Sequence, residues 1–365
     1  MRWVLTTAGI LAAPLITLAL LVKASVQHRA AYDLVNEYVP AARDVLAGHS
    51  PYHLAAIPGN EAFGYPPLAA FVTAPLTLLP PLGLQVAGSL LTLAAVLGAL
   101  FLAGVRDVRC YLVVLGSSPL FSVVQTCNLV ALVALFAAAA WRFRERPLAS
   151  GVLLALAVAL KLFAWPLLLV PLLARRRRAS IVAAASAAAA VLVPWAAIGF
   201  AGLGGYPHFL SALERFERPH TYTLGALLGP ALSWPVAQGV TLVAAAALLA
   251  LMTLRRDDER LLLVLAIALA LLLSPIVWID SLVVVFVAVA VVRPRLGWPW
   301  VAPLGLWLVP AAWNGSPVQI AYALGLVAAV FVSTAASARV PARGRHALRR
   351  PGRAWRTPRA RSTPA

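Results

Sequence analysis

The stretch LLALAVALKLFAWPLLLVPLL, residues 153–173, is apolar except for one charge, Lys161. The chain has only two lysines among its 30 basic residues, so this one stands out. An ammonium held in hydrocarbon costs ~2.5–3.5 kcal/mol on insertion scales, so it normally faces water, a partner or a ligand. The stretch lies between two arginine clusters, RFRER at 142–146 and RRRR at 175–178. A single helix over 147–174 would be ~42 Å long and put the clusters on opposite sides of a bilayer. Two limbs of about 13 residues return both clusters to one side, each limb reaching only ~20 Å. The turn, with Lys161 and Pro166, then lies in the outer part of the membrane. Irregular backbone survives at that depth only against protein or a wet cavity. A snorkelling lysine near the outer surface is the other reading of the same residue.

The surroundings repeat this pattern. Residues 110–141 lie between Arg106 and Arg109 on one side and RFRER on the other, with a polar break, SSPLFSVVQTCN (117–128), between them. Two broken hairpins side by side predict a cavity opening outward. Between them and the first span, residues 66–106 hold either two crossings, which put Arg106 outside, or one crossing and a half-helix, which put it inside. The whole 365-residue chain is 62% hydrophobic and 12% charged, with a mean hydropathy of +0.88. That balance excludes a water-soluble domain and specifies a polytopic membrane protein. We expect an all-α bundle of roughly 11–13 spanning or half-spanning helices. Residues 1–22 read as a retained first span rather than a cleaved leader.

The net charge of +18 does not imply nucleic acid. Nine arginines and no acid fall in 339–365, a Pro- and Arg-rich tail set apart from the membrane domain at 1–338. Such a tail marks the cytoplasmic side and touches anionic lipid. On the same rule the other arginine clusters are cytoplasmic, which places loops 23–65 and 202–223 outside. Cys110 and Cys127 form no paired motif. No P-loop, dinucleotide fingerprint or zinc motif occurs, and neither a metal nor a cofactor is expected.

Of the twelve acids, seven remain for chemistry on the outer side: Asp33, Glu37, Asp44, Glu61, Glu214, Glu217 and Asp280. In HRAAYDLVNEYVPAARDVLAGHSPYH (28–53), Leu34, Tyr38, Ala41, Ala42, Val45 and Leu46 share a helical face, which suits a helix lying on the membrane. Asp33 at its start is a candidate general base if burial raises its pKa. The same acids also suit the wetted face of such a helix. The second loop, PHFLSALERFERPHTYTL (207–224), offers Arg215, Arg218 and His220 for a phosphate, or forms an interfacial helix with internal ion pairs. In SPIVWID (274–280), Asp280 faces the cavity or caps the next helix.

Taken in order, these residues resemble glycosyltransferase family 87, within the GT-C superfamily of membrane glycosyltransferases. The resemblance covers most of 1–290. It rests on an aspartate after span one, AARDVLAGHSPY (41–52), FGYPPLAAFVTAPLTLLP (63–80), a Gln/Asn break, SGVLLALAVALK (150–161) with an arginine run after it, and a late Ser-Pro…Trp break. The Tyr-Pro-Pro segment is its most specific part. The chain departs from the family pattern in VQTCN (124–128), which lacks a glycine, in the spacing from Lys161 to Pro166, and in Asp280, which stands where a histidine is common.

The resemblance implies transfer of a hexose, mannose above all, from a polyprenyl-phosphate donor to a lipid or glycan acceptor. In that scheme Asp33 is the catalytic base. Lys161, Arg215, Arg218 and His220 hold the donor phosphate, and Glu37, Tyr38, Tyr65, Asn128, Trp278 and Asp280 line the substrate site. Membrane lipids are the other partners. A transporter or flippase of a lipid-linked saccharide would also want broken helices and an intramembrane cation. A scaffold in envelope assembly is a third reading.

Overall fold

Prolines set where many of the helices begin. Pro67, Pro81 and Pro147 occupy the first turn of their helices, where the missing N–H costs nothing and the fixed φ suits helical backbone. Side-chain caps mark other starts. Ser117 accepts from the Leu120 N–H, Thr223 from Ala226, and Asp258 from Arg260 and Leu261. The computed structural model describes residues 2–27, 29–58, 61–310 and 315–338, and every regular element among them is a helix. The basic tail 339–365 and His28 lie outside the described residues.

Four described helices are long and apolar enough to cross a bilayer: Pro81–Leu102, Arg177–Ala197, Trp234–Leu254 and Pro317–Ala338. They carry outward-facing side chains such as Ile181, Val243 and Val332, exposed by 69%, 72% and 70%. Apolar surface of this kind is tolerated against lipid and not against water. The helices they surround are shorter. Glu259–Leu273 and Val285–Val292 are buried along almost their whole length. The chain is an all-α polytopic membrane protein.

The helix Pro147–Leu160 stops at Lys161, whose backbone is extended (φ −148°, ψ 106°). A 3-10 stretch, Leu162–Leu168, and a short helix, Leu169–Leu173, follow. The two limbs return to the same place, because Arg176 Nη2 meets Glu145 Oε1 at 2.8 Å and Arg176 Nη1 meets the Arg144 carbonyl. The 117–128 region holds two breaks rather than one. Val108–Leu115 and Ser118–Thr126 meet at 63°, and the chain breaks again at Cys127, which is left-handed (φ 57°). The Ser117 cap and Pro119 start a new helix inside what reads as a single polar gap. In 66–106, the short Pro67–Thr73 and Ala74–Leu78 precede the full-length Pro81–Leu102, the half-helix-and-crossing alternative by length.

The segment after the first helix forms a π-helix, Leu34–Tyr38, continued by the α-helix Val39–Leu46. Leu34, Tyr38, Ala41, Ala42 and Val45 are buried as the periodicity requires. Leu46 is exposed, because the helix ends there, ahead of Gly48 at φ +74°. Tyr52 and Gly64 then pack on the helix Tyr206–Glu217. The Tyr52 ring lies 4.6 Å from Tyr206 and stacks 5.3 Å from Trp195, and the Tyr206 hydroxyl donates to the Gly64 carbonyl at 3.2 Å. This aromatic block fixes the two segments together as a roof over the broken hairpins.

Candidate active site

Under that roof lies a cavity of about 580 Å³. One wall is a face of the helix Tyr206–Glu217, and the others come from irregular pieces of backbone. The π-helix supplies Asp33, its N-terminal flanking residue, and Glu37. The break after Thr126 supplies Asn128, the break after Leu160 supplies Lys161, and the break after Leu273 supplies Ser274, Trp278 and Asp280. Helix interruptions release backbone groups and aim side chains into a bundle, which is why such sites gather at breaks.

The hydrogen bonds join three of these walls. Lys161 Nζ donates to Asn128 Oδ1 at 3.0 Å, and Asn128 Nδ2 donates to Asp33 Oδ2 at 2.7 Å. The Val130 N–H also donates to Asn128 Oδ1, at 3.0 Å. That pairing fixes the amide's orientation, since a flip would set its NH2 against a cation and an N–H. Asn128 therefore holds a cation and a carboxylate apart at a set spacing. Tyr38 stands five residues after Asp33, one π-turn on. Its hydroxyl makes a long 3.5 Å contact with Asp33 Oδ2 and a 3.2 Å bond to the Tyr65 hydroxyl. The Tyr65 and Phe163 rings lie 5.5 Å and 5.7 Å from Lys161 Nζ, within cation–π range. Asp280 is buried and accepts from Ser281 Oγ at 3.0 Å.

The electrostatics follow from burial. Asp33 flanks the π-helix Leu34–Tyr38, outside the four candidate membrane spans. Burial, with the Asp280 charge second, raises its carboxyl to about 7, against the pull of Asn128 and Lys161. Glu37 is raised well above its ordinary value, by burial first and by Asp33 next. Burial lifts Glu217 to about 7. Carboxyls poised near neutrality suit proton transfer at physiological pH. Among the described residues, no three His, Cys, Asp or Glu side chains converge as a metal would need.

Asp33, Glu37, Tyr65, Asn128, Lys161, Trp278 and Asp280 all line this cavity, and Tyr38 stands behind its wall against Asp33. Arg215, Arg218 and His220 do not line it. The reason is helical phase. Leu210, Leu213, Glu214 and Glu217 form the stripe facing the cavity, which turns Arg215 outward to solvent. Arg218 reaches back to Glu214 at 2.6 Å and lies 4.7 Å over the Trp234 ring. His220 ends the short 3-10 turn Arg218–His220. The second cation on the cavity wall is Arg29, four residues before Asp33. Gln125 and Glu217 line it as well. A lone arginine just beyond a first span carries little signal by itself, and the inward turn of Glu217 depends on tertiary packing.

The model of glycosyltransferase family 87 matches residues 63–275, more than half of the chain. Asn128, Lys161 and Glu217 fall inside the match, while Asp33 and Asp280 flank it on either side. No curated relative and no solved structure matches. With an all-helical membrane architecture, a polar cavity at its helix breaks and this match across its middle, the chain belongs to glycosyltransferase family 87, whose members are membrane glycosyltransferases.

Proposed function

We propose that the protein moves a hexose, mannose in the first instance, from a polyprenyl-phosphate donor to a lipid- or glycan-linked acceptor. The observation that carries this reading is the chain Lys161–Asn128–Asp33 across one cavity. It places a fixed cation and a carboxylate of raised pKa at a set separation, which is what the reaction asks for. Asp33 takes the proton of the acceptor hydroxyl. The freed oxygen attacks C1 of the donor hexose from the face opposite the phosphate. The new C1–O bond forms as the C1–O(phosphate) bond breaks, the anomeric centre inverts, and the electron pair leaves on the polyprenyl phosphate. Lys161 stabilises that growing charge, with Arg29 as the second cation lining the cavity. Glu37, Tyr65, Trp278 and Asp280 contact substrate, and Tyr38 steadies Asp33. A polyprenyl chain explains why the cavity opens among membrane helices rather than on a soluble domain.

We place the reaction on the extracytoplasmic side. The support is the arginine-rich end of the Lys161 hairpin, one helix of 14 residues away from the cavity, since arginine clusters mark the cytoplasmic face. The tail 339–365 is then cytoplasmic and near anionic lipid.

The test is transfer by the purified full-length protein, supplied with radiolabelled polyprenyl-phosphate-mannose and cell lipids. Label should pass to an acceptor with wild type and not with Asp33→Ala. Movement of intact labelled lipid across a liposome without transfer would replace this reading with transport.

A further inference from the structure

Glu217 is the carboxylate of the cavity that the mechanism above leaves unused. It ends the helix Tyr206–Glu217, is 5% exposed, and lines the cavity. Its Oε2 is buried with no hydrogen-bond partner among the described residues. Its neighbour Glu214, also on the wall, is committed to Arg218. Buried polar atoms are almost always satisfied, and an orphan at a cavity wall points to a ligand that completes it. Burial raises its carboxyl to about 7, with Glu37 within electrostatic reach.

The surroundings say which ligand chemistry fits. Glu37 feels Asp33, Glu217 and Asp280 against the single cation Lys161, so acids outnumber the cation along this part of the wall. A phosphate would be repelled here and belongs with Lys161 and Arg29. A neutral group rich in hydroxyl donors satisfies carboxylates without adding charge, and the Tyr65, Phe163 and Trp278 rings on the same cavity offer faces for sugar C–H groups. A hexose has both features. Resting on the glycosyltransferase reading, we propose that Glu217 accepts hydrogen bonds from the hydroxyls of a hexose in this cavity, so that it selects the sugar while Lys161 selects the phosphate.

Binding tests this without relying on turnover. The probes are polyprenyl-phosphate-mannose, the same polyprenyl phosphate without its sugar, and methyl α-mannoside, each titrated against the full-length protein. Wild type should prefer the sugar-bearing lipid. Glu217→Gln should lose about 10- to 100-fold of that preference, the range of a hydrogen bond to a charged group, with the bare lipid phosphate bound as before. Glu217→Asp, which keeps the charge but withdraws it, should lose part of it. Loss confined to the loaded lipid assigns the donor hexose, and loss confined to methyl α-mannoside assigns the acceptor hexose. Unchanged binding of both sugars overturns the proposal. So does a parallel loss of the bare lipid phosphate in both variants, since Glu217 then holds the fold, and so does a wild type with no sugar preference. A wild type that never transfers the hexose, while Glu217→Gln still loses the sugar preference, would sink the transferase reading and leave Glu217 assigned.

Discussion

Two polar segments border the cavity, and their paired charges find different partners. Residues 32–46 and 206–220 each form a short amphipathic helical segment bearing both acids and arginine. In the first, Asp33 turns inward and finds its partner 95 residues away, on a different broken helix. In the second, Arg218 finds its partner four residues back, on its own helix. An i,i+4 pair forms wherever such a helix folds and contributes a few tenths of a kcal/mol. A buried carboxylate tied to an amide and then to an ammonium exists only because the tertiary structure holds all three, against the cost of desolvating them. The contrast separates charges that serve a cavity from charges that serve a helix.

Asp33→Asn should break the comparison hardest. Removing a general base lowers transfer by about 100- to 10,000-fold, read as kcat with the donor bound normally. The wild-type rate should also depend on pH. Asp33 acts ionised and its carboxyl is raised to about 7, so the rate should be flat above that value and fall roughly tenfold per pH unit below it. Stability runs the other way. The folded pKa lies above the ordinary carboxyl value of 3.8, so the folded state holds a proton that the unfolded chain releases. Stability from this group is full below the unfolded value and declines as pH rises towards about 7. Thermal unfolding should therefore find Asp33→Asn gaining on wild type at about pH 8 and not at about pH 4.

Lys161→Gln comes next. Loss of a group that stabilises developing charge should lower kcat by about 100- to 1,000-fold, with weaker binding of bare polyprenyl phosphate. Asn128→Ala leaves the base and the cation in place but unspaced. A fall of up to about 100-fold is expected from misplacement alone, most of it in kcat. Arg218→Ala should be the mildest. Its partner is four residues back and Arg218 itself does not line the cavity, so transfer should stay within about twofold and stability within about 1 kcal/mol. An Arg218 variant as damaged as Lys161→Gln would erase the distinction between the segments.

Much of this was legible in the sequence, for reasons that can be named. Lys161 stands out because a charge in hydrocarbon is costly, and the arginines on either side force the chain to turn back there. Asn128 is visible as the polar end of a break between apolar limbs. The buried face of 34–45 follows from helical periodicity. What stayed hidden depends on rotation and tertiary contact. Glu217 and Arg215 are two residues apart on one helix, and only the packing of Leu213 and Tyr206 decides which of them turns inward. The π-turn that brings Tyr38 under Asp33 shifts the helical phase by one residue, which a search for 3.6-residue periodicity does not detect. Arg29 lines the cavity just ahead of a turn in the chain at Ala31, whose φ is 55°, after the first helix.

A single-turnover experiment reaches the core of the account most directly. Full-length protein is loaded with polyprenyl-phosphate-mannose, mixed with acceptor lipid, and assayed for release of polyprenyl phosphate. Wild type should release it in one rapid phase. Asp33→Asn should hold the donor with unchanged affinity and release it at least about 100-fold more slowly. Release by Asp33→Asn at the wild-type rate would mean that the carboxylate joined to Lys161 through Asn128 is not the base, and the chemistry assigned to this cavity would fall.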